Sequence, residues 1–177
     1  AEMEITHVIR GQEFISSMPN YLNLYEALGL EPPIMATVPH VLGPDGRKKL
    51  SKRDGAKDVL DYIRDGFLPE ALVNFIVTLG WNDGTDQELF TIEELIEKFS
   101  IDRVSKAGAI FDFEKAKWYN HEWIKHSSAE SLQLNVRSLL AEKNIEVNND
   151  ELLFKVIDLV KDRCNLLGDF VAQSAYF

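Results

Sequence analysis

The spacing of apolar residues changes once along this chain, from a strand–helix–strand pattern to a succession of helices. Residues 4–11 are rich in β-branched side chains and end at a glycine, which predicts a strand. Pro19 suits the first turn of a helix that Gly29 would close, and residues 34–38, flanked by prolines, predict a second strand. This order favours one βαβ unit with a right-handed crossover. Such a unit cannot bury both faces of its sheet alone, so we expect the rest of the sheet to lie in another segment.

From residue 56 onward the apolar spacing predicts helices, each with a recognisable start signal. The clearest is Thr91 with Glu94 three residues later, a capping box ahead of an apolar run. The other predicted helices cover residues 58–65, 69–79, 113–119, 128–140 and 152–160, with start signals at Asp58, Pro69, Asp112, Ser128 and Asn149. We therefore expect a mainly α protein with a small α/β part.

Composition excludes several classes of protein. The chain has 177 residues, a net charge of −10 and one cysteine, so a disulfide framework and a cysteine-based zinc site are excluded. A reducing cytoplasm fits a single thiol best, and no apolar run reaches the length of a membrane span. The negative net charge argues against wholesale coating of nucleic acid, although it leaves room for a local basic face.

Both ends of the chain resemble the interior of a sequence. Position 1 is alanine rather than methionine, no signal peptide opens the chain, and residues 172–177 continue a helical pattern. We therefore expect the chain to be part of a longer protein.

Residues 47–53 form a dense basic stretch on this acidic chain. Five of the seven residues are Lys or Arg, whereas an even spread of the basic residues would place about one there. Gly43 and Gly46 just upstream predict a mobile loop, and its lysines suit the oxygens of a polyphosphate. A solvated basic loop or a nuclear-localisation-like patch remains an alternative on composition alone. The stretch is not a Walker A motif.

The order of residues in this stretch is more specific than its charge. Lys49-Leu50-Ser51-Lys52-Arg53 resembles the Lys-Met-Ser-Lys-Ser signature of class I aminoacyl-tRNA synthetases, in a form common in glutamyl-tRNA synthetases. Flanking segments that also resemble this family are residues 6–11, 24–29, 42–46, 65–72, 79–81, 104–106 and 117–120, with Pro19 and Pro39. The resemblance covers nearly the whole chain and is weakest after residue 126, where residues 156–163 are still similar to the helical anticodon-binding region of bacterial members.

The resemblance implies a bacterial-type glutamyl-tRNA synthetase in three parts. Residues 1–48 would form the C-terminal half of a Rossmann-type catalytic fold, and residues 49–126 the signature loop and a stem-contact α+β region. Residues 127–177 would begin a helical anticodon-binding domain. The implied enzyme is a cytoplasmic glutamate–tRNA ligase, which uses ATP with magnesium, glutamate and tRNA(Glu), has no zinc in this segment, and acts as a monomer.

The resemblance also implies roles for residues of the loop. Lys49, Ser51 and Lys52 would lie over the ATP phosphates and stabilise the transition state of adenylate formation. Leu50 and Arg53 would complete the signature. Because negative charge builds up on the phosphates and on the leaving pyrophosphate, donors aimed there lower the barrier. Lys52 is the residue that we expect to matter most.

Outside the loop, the resemblance implies an ATP site and a glutamate site. Val41 and Leu42 would line the adenine pocket, partly through backbone groups, and Glu13 would reach the ATP ribose. Arg10 would hold the carboxylate of glutamate, a task that suits a bidentate guanidinium, and Phe14 would face the amino acid.

The chain departs from the family pattern at residues 11–14. Many bacterial members have Gly-Asp-Asp-His there, and this chain has Gly-Gln-Glu-Phe. The alternatives for the three candidates are an exposed charge at a strand end for Arg10, a surface carboxylate for Glu13 and a core position for Phe14.

A class I synthetase also needs a His-Ile-Gly-His-type motif, and no His-x-Gly-His occurs in this sequence. The chain would begin after the connective insertion that holds the acceptor end of the tRNA, and we expect it to lack adenylation activity by itself. Within the family, the alternative is a glutaminyl-tRNA synthetase, whose anticodon region is built of β-barrels, whereas the residues after 126 predict helices. A truncated paralogue that modifies a tRNA nucleoside is a further alternative, but such paralogues lack a long region after the loop, whereas this chain has one. The alternative from another class is a non-catalytic tRNA- or protein-binding module that retains the loop.

Three further sets of residues carry expectations. Basic residues that could contact tRNA are Lys98, Arg103, Lys106, Lys115, Lys117 and Lys125. Trp81 and Trp118 are predicted to be core anchors, because aromatic residues at helix edges usually pack. The four histidines lack the spacing of metal ligands and are predicted to be structural or exposed to solvent.

Overall fold

A two-stranded parallel sheet lies near the start of the fold. The structure is a computed structural model that describes residues 3–54 and 56–177. Strand β1 (His7–Gly11) pairs in parallel with β2 (Ile34–Val38) over the full length of both strands. His7 lies opposite Ile34 and Gly11 lies opposite Val38. The second strand has the predicted bounds, and the first begins three residues later than predicted.

Helix α1 (Met18–Ala27) connects the two strands, after a 3-10 turn at Gln12–Ser17. Pro19 lies in the first turn of α1, as predicted. Gly29 follows the helix with a φ of +64°, a left-handed conformation that glycine adopts without steric cost. The predicted strand–helix–strand unit with parallel strands is therefore confirmed.

The rest of the described chain is mainly helical. The helices are α2 (Val59–Arg64), α3 (Pro69–Thr78), α4 (Ile92–Lys98), α5 (Phe113–His126), α6 (Ala129–Glu142), α7 (Asp150–Val160) and α8 (Asp169–Gln173), with 3-10 turns at Lys52–Asp54, Ile101–Arg103 and Lys161–Arg163. Because α8 ends at Gln173, the prediction that residues 172–177 continue a helix is wrong for the last four of them. Among the described residues, no helix is both long and apolar enough to cross a membrane.

The predicted capping residues begin the helices. At α4, Glu94 N donates to Thr91 Oγ1 at 3.2 Å while Thr91 N donates to Glu94 Oε2 at 2.8 Å, which confirms the capping box. The side chains of Asp58, Asp112, Ser128 and Asn149 each accept a backbone hydrogen bond at the starts of α2, α5, α6 and α7. These starts follow from local chemistry, since a cap satisfies N–H groups within three residues of itself.

Helix α5 is seven residues longer than predicted. The prediction ended it at Tyr119, and the structure continues it to His126. Its buried residues, Ala116, Tyr119, Asn120 and Ile124, recur at helical spacing along one face. The buried face thus continues past the predicted end, and packing of Ile124 stabilises the added turns.

The two tryptophans predicted to be core anchors differ in burial. Trp81 is 4% exposed, and its ring centre lies 5.7 Å from that of Phe90, so the prediction is confirmed for this residue. Trp118 is 40% exposed, and the prediction is wrong there. The reason is helical phase: Trp118 immediately precedes the buried Tyr119 on α5 and lies beside the buried face, with its ring edge-on to the Tyr119 ring at 5.1 Å.

The hydrophobic core lies in the helical part of the chain. The largest cluster joins α6, α7 and α8 to Leu68, Ala71 and Ile124. A second cluster surrounds Phe67, Phe75 and Tyr119, and a third contains Trp81, Phe90 and Leu95. The first cluster draws residues from both sides of position 126, so helix α5 packs against the helices that follow it.

The sheet and α1 contrast with this core. Every residue of β1, β2 and α1 is at least partly accessible. The exposed fractions are 50% for Ile9, 60% for Ile34, 56% for Leu24 and 62% for Leu28. Large apolar surfaces of this kind usually mark a contact with another segment or another protein.

Candidate functional site

The candidate residues gather at one edge of the small sheet. The turn that follows β1 carries Glu13 and Phe14, and the segment that follows β2 carries His40, Val41 and Leu42. Because the strands are parallel, both segments leave the sheet at its carboxyl edge. This is the edge where ligands bind in open α/β sheets.

The segment after β2 folds back as a hairpin that presents the basic stretch. Leu50 N donates to Val41 O and Gly43 N donates to Lys48 O, each at 2.8 Å. At the tip, the carboxylate of Asp45 accepts hydrogen bonds from the backbone N–H groups of Arg47 and Lys48. Residues 47–50 are therefore part of a bonded hairpin, and the mobility predicted for the loop stays a prediction.

Gly46 is required by the geometry of this hairpin. Its φ is +65°, and a Cβ placed there would lie 3.0 Å from Ile110 Cδ1. A larger residue would meet both backbone strain and a close contact. The position of this glycine is explained by the turn itself.

Leu42 anchors the hairpin to the rest of the fold. Its N–H donates to Ala109 O at 2.8 Å, and its carbonyl accepts from Phe111 N at 2.9 Å. The amide proton of Leu42 is therefore already used within the chain. A backbone donor to a ligand at this site would therefore have to come from another residue.

The five basic residues of the stretch are all exposed: Arg47, Lys48, Lys49, Lys52 and Arg53. Within the described part of the chain, Lys49 alone among them makes an ion pair. Other lysines in the fold have carboxylate partners, such as Lys98 with Asp83 at 3.1 Å. The five cations of this stretch lie within seven residues and produce a local positive potential on an acidic chain, as an anion site requires.

Glu13 is the carboxylate that pairs with the loop. Lys49 Nζ donates to Glu13 Oε1 at 2.8 Å, and His40 Nδ1 lies 3.4 Å from Glu13 Oε2. The hydrogen bond from Lys49 is the main cause of a lowered pKa for Glu13. Sequence reasoning assigned Glu13 to the ATP ribose and did not predict this pairing, because the two residues are 36 positions apart.

Arg10 lies close to two aromatic rings. Its guanidinium carbon is 4.5 Å from the centre of the Phe14 ring and 5.1 Å from that of Tyr21. The predicted pair of Arg10 and Phe14 is brought together, and Phe14 is 40% exposed rather than a core residue. Tyr21, in the first turns of α1, was missed by sequence reasoning. The aromatic residue two positions after Pro19 was the available signal.

Most of the basic residues predicted to contact tRNA have acidic partners. Salt bridges join Lys98 to Asp83, Lys115 to Glu88, Lys117 to Glu114 and Lys125 to Glu122. Of the six candidates, Arg103 and Lys106 make no ion pair with a described residue. The case for a nucleic-acid contact is therefore strongest at these two residues.

The histidines make the local contacts of structural or surface residues. His121 Nδ1 lies 2.9 Å from Cys164 O, and His126 Nδ1 lies 2.7 Å from Glu122 O. His7 contacts the adjacent Thr6 hydroxyl. His40, next to Glu13, is the one whose neighbourhood connects it to the candidate site.

Comparison with protein families matches residues 1–118 to the catalytic domain of the class I tRNA synthetases (E and Q). Among curated relatives, a glutamate–tRNA ligase of Chlorobaculum parvum is 45% identical over 186 aligned residues, and one of Francisella tularensis is 40% identical over 176. Each alignment covers 99% of this chain and 37% of the relative. The chain thus spans somewhat more than a third of the length of these proteins.

Two solved structures of glutamate–tRNA ligases are also similar to this chain. A crystal structure of a glutamate tRNA ligase from Elizabethkingia meningosepticum, in complex with its amino acid, matches with a TM-score of 0.87 and 38% identity. The match covers 99% of this chain and 38% of the Elizabethkingia meningosepticum chain. A glutamate-tRNA synthetase from Elizabethkingia anophelis matches with a TM-score of 0.84, also at 38% identity, over 97% of this chain and 38% of that one.

Proposed function

Because the chain belongs to the class I tRNA synthetases (E and Q), we propose that it is part of a glutamate–tRNA ligase. That enzyme would join glutamate to ATP as glutamyl-adenylate and transfer the glutamyl group to tRNA(Glu). The observation that carries this proposal is the exposed basic stretch of residues 47–53, which Lys49 joins to Glu13 at the carboxyl edge of the parallel sheet. Since ATP, glutamate and tRNA meet in the cytoplasm, we place the protein there.

The hairpin would act on the phosphates of MgATP. A carboxylate oxygen of glutamate attacks the α-phosphorus, the bond to the bridging oxygen breaks, and pyrophosphate leaves with the electron pair. Lys52 is exposed and makes no ion pair with a described residue, so its ammonium is available to the developing charge. Lys49 and Ser51 would assist from the same hairpin. Positioned donors of this kind stabilise the transition state more than the ground state.

Arg10 would bind the carboxylate of the glutamate substrate. Its guanidinium carbon lies 4.5 Å from the centre of the Phe14 ring and 5.1 Å from that of Tyr21. Contacts with aromatic rings do not use the N–H groups of a guanidinium as hydrogen-bond donors to oxygen, and a carboxylate accepts two of those groups in parallel. Phe14 would thereby form one wall of the amino-acid site.

Val41 and Leu42 would contribute to the adenine site next to the hairpin. Their side chains are partly accessible at the carboxyl edge of β2. Since the Leu42 amide is bonded to Ala109 O, Leu42 would contribute its side chain and not its amide. A ribose contact is one role open to Glu13, whose carboxylate binds Lys49 at 2.8 Å.

The proposal also divides the chain into three parts. Residues 1–48 would be the second half of the catalytic fold, 49–126 the signature loop and stem-contact region, and 127–177 the start of the anticodon-binding helices. The exposed apolar residues of β1, β2 and α1 support a further segment that covers the sheet. In the proposed enzyme, that segment would carry the His-Ile-Gly-His-type motif. Arg103 and Lys106 are the proposed contacts with tRNA, and a monomeric parent remains part of the proposal.

Two alternatives lead to different experimental results. The helices α6 and α7 favour a glutamyl over a glutaminyl enzyme, because the anticodon region of the latter is built of β-barrels. A non-catalytic module that retains the loop would bind tRNA or protein without forming an adenylate. Glutamate-dependent exchange between pyrophosphate and ATP separates these cases.

The test uses the natural full-length protein that contains this chain. We expect exchange with glutamate and not with glutamine, and we expect Lys52→Ala to slow it about 100-fold or more. Lys155→Ala is the matched control, because Lys155 is also an exposed lysine, and its carboxylate partner among the described residues is Glu151 on α7. No exchange in the wild-type protein would support the non-catalytic module, and an unchanged rate in Lys52→Ala would contradict the role of Lys52.

A further inference from the structure

The carboxylate of Glu13 binds one of the basic residues in the stretch 47–53. Of the five basic residues there, Lys49 is the one whose ammonium is bound by a carboxylate among the described residues, at 2.8 Å. That carboxylate comes from the turn that follows β1, 36 residues earlier in the chain. One ion pair therefore joins the two segments that leave the carboxyl edge of the sheet.

The orientation of Glu13 is determined by three neighbours. Lys49 binds Oε1, His40 lies 3.4 Å from Oε2, and the side chain folds over Gly11. A Cβ at Gly11 would lie 2.2 Å from Oε2, so any larger residue at that position would displace the carboxylate. The absence of a side chain at Gly11 therefore leaves room for the carboxylate in this position.

We propose that Glu13 is a positioning residue that occupies the ammonium of Lys49 and competes for it with the phosphates of ATP. The proposal rests on the function proposed above, in which Lys49 contacts those phosphates. A carboxylate and a phosphate are both anionic acceptors for an ammonium group, and Glu13 already holds the ammonium at hydrogen-bond distance. Binding of the phosphate chain through Lys49 must then exchange one anionic partner for the other.

The strength of this competition follows from exposure. The side chains of Lys49 and Glu13 are 58% and 41% exposed. Ion pairs that are this accessible to solvent are weak, and their loss changes a competing equilibrium by about two- to fivefold. Glu13 therefore tunes the affinity for ATP and does not block the site.

The sign of the effect separates this proposal from a ribose contact. If Glu13 binds the ribose, its neutralisation removes an interaction with ATP and raises the KM for ATP. If Glu13 competes with the phosphates, neutralisation releases Lys49 and lowers the KM. The same substitution therefore gives opposite results under the two roles.

The experiment measures KM for ATP, KM for glutamate and kcat of pyrophosphate exchange in the full-length protein, together with ATP binding by calorimetry. Glu13→Gln should lower the KM and the Kd for ATP about two- to fivefold, and leave the KM for glutamate unchanged. Glu13→Asp keeps the charge and should return both ATP constants toward wild type. Glu151→Gln, which removes the partner of Lys155 on α7, is the matched control and should change neither.

A double-substitution cycle assigns the effect to the pair. In a Lys49→Met background, Glu13→Gln should no longer lower the Kd for ATP. An unchanged or raised Kd in Glu13→Gln, or the same decrease in both backgrounds, would overturn the proposal. A wild-type protein without exchange activity would instead overturn the proposed function, so the two failures are distinguishable. Thermal unfolding of each variant checks that the turn at Gln12–Ser17 still folds.

Discussion

The carboxamide oxygen of Asn74, on α3, accepts a hydrogen bond from the indole Nε1 of Trp123, on α5, at 3.1 Å. The same oxygen accepts from Phe90 N at 3.0 Å, and the amide nitrogen donates to Glu88 O at 2.9 Å. Asn74 is completely buried. One side chain therefore joins two helices and the segment before α4.

Replacing Asn74 should destabilise the fold markedly. Asn74→Ala removes the partner of one buried and one partly buried N–H donor and leaves a small cavity, which should lower the free energy of unfolding by about 2–4 kcal/mol. Denaturant titration followed by tryptophan fluorescence measures the change. Asn23→Ala, at an exposed position of α1, is the control and should change stability by less than about 0.5 kcal/mol.

Tyr21 is predicted to affect the KM for glutamate rather than folding. Tyr21→Leu keeps an apolar side chain but removes the ring that lies 5.1 Å from the Arg10 guanidinium. Loss of the stacking contact should raise the KM for glutamate about three- to tenfold in pyrophosphate exchange, with the KM for ATP unchanged. Tyr21→Phe keeps the ring face and should behave as wild type. Equal changes in both KM values would count against a specific contact with Arg10.

Asp83 should contribute to acid sensitivity. Its carboxylate accepts from Thr85 Oγ1 at 2.6 Å and from Lys98 Nζ at 3.1 Å. These bonds, led by that of Thr85, lower its pKa from 3.8 to about 2. Because the folded pKa lies below the unfolded one, the stabilisation is complete above about pH 4 and is lost as the pH falls toward 2.

The pH dependence of unfolding tests this expectation. Between about pH 4 and pH 2, Asp83→Asn should lose stability less steeply than wild type, by up to one proton's contribution to the slope. The neighbouring substitution Asp86→Asn controls for the loss of one negative charge. Equal slopes for the two variants would show that the Asp83 contacts do not contribute in solution.

Cys164 should be unreactive in the folded protein. It is fully buried, and its thiol donates to Val160 O at 3.5 Å. Burial, assisted by the negative charge of Asp169, raises its pKa to about 12. At pH 8 only about one molecule in 10,000 would carry the reactive thiolate, so a disulfide reagent should label the thiol only after denaturation. Rapid labelling under native conditions would mean that the α7–α8 region opens readily.

Local signals predicted the secondary structure well, because they act within a few residues. The capping box of Thr91 and Glu94 and the bounds of the strand at Ile34–Val38 follow from neighbours in sequence. The end of α5 and the exposure of Trp118 were not predicted, since both depend on which helical face meets the other helices.

At the candidate site, too, the local sequence predicted some features, and others depend on contacts between distant segments. The order of residues in the basic hairpin identified its family, and with it the predicted roles of Lys49, Lys52 and Arg10. Helical periodicity could not show that Tyr21 covers Arg10 or that Glu13 binds Lys49, because these contacts join side chains from different elements.

The sequence by itself therefore determined the strand–helix–strand unit, the helix starts and the family, all of which are encoded in short segments. Only the tertiary structure decided which side chains meet at the carboxyl edge of the sheet. Parallel pairing of β1 and β2 brings the turn after one strand next to the hairpin after the other. That packing places Glu13 against Lys49 at 2.8 Å, a distance that depends on the folded chain and not on spacing in the sequence.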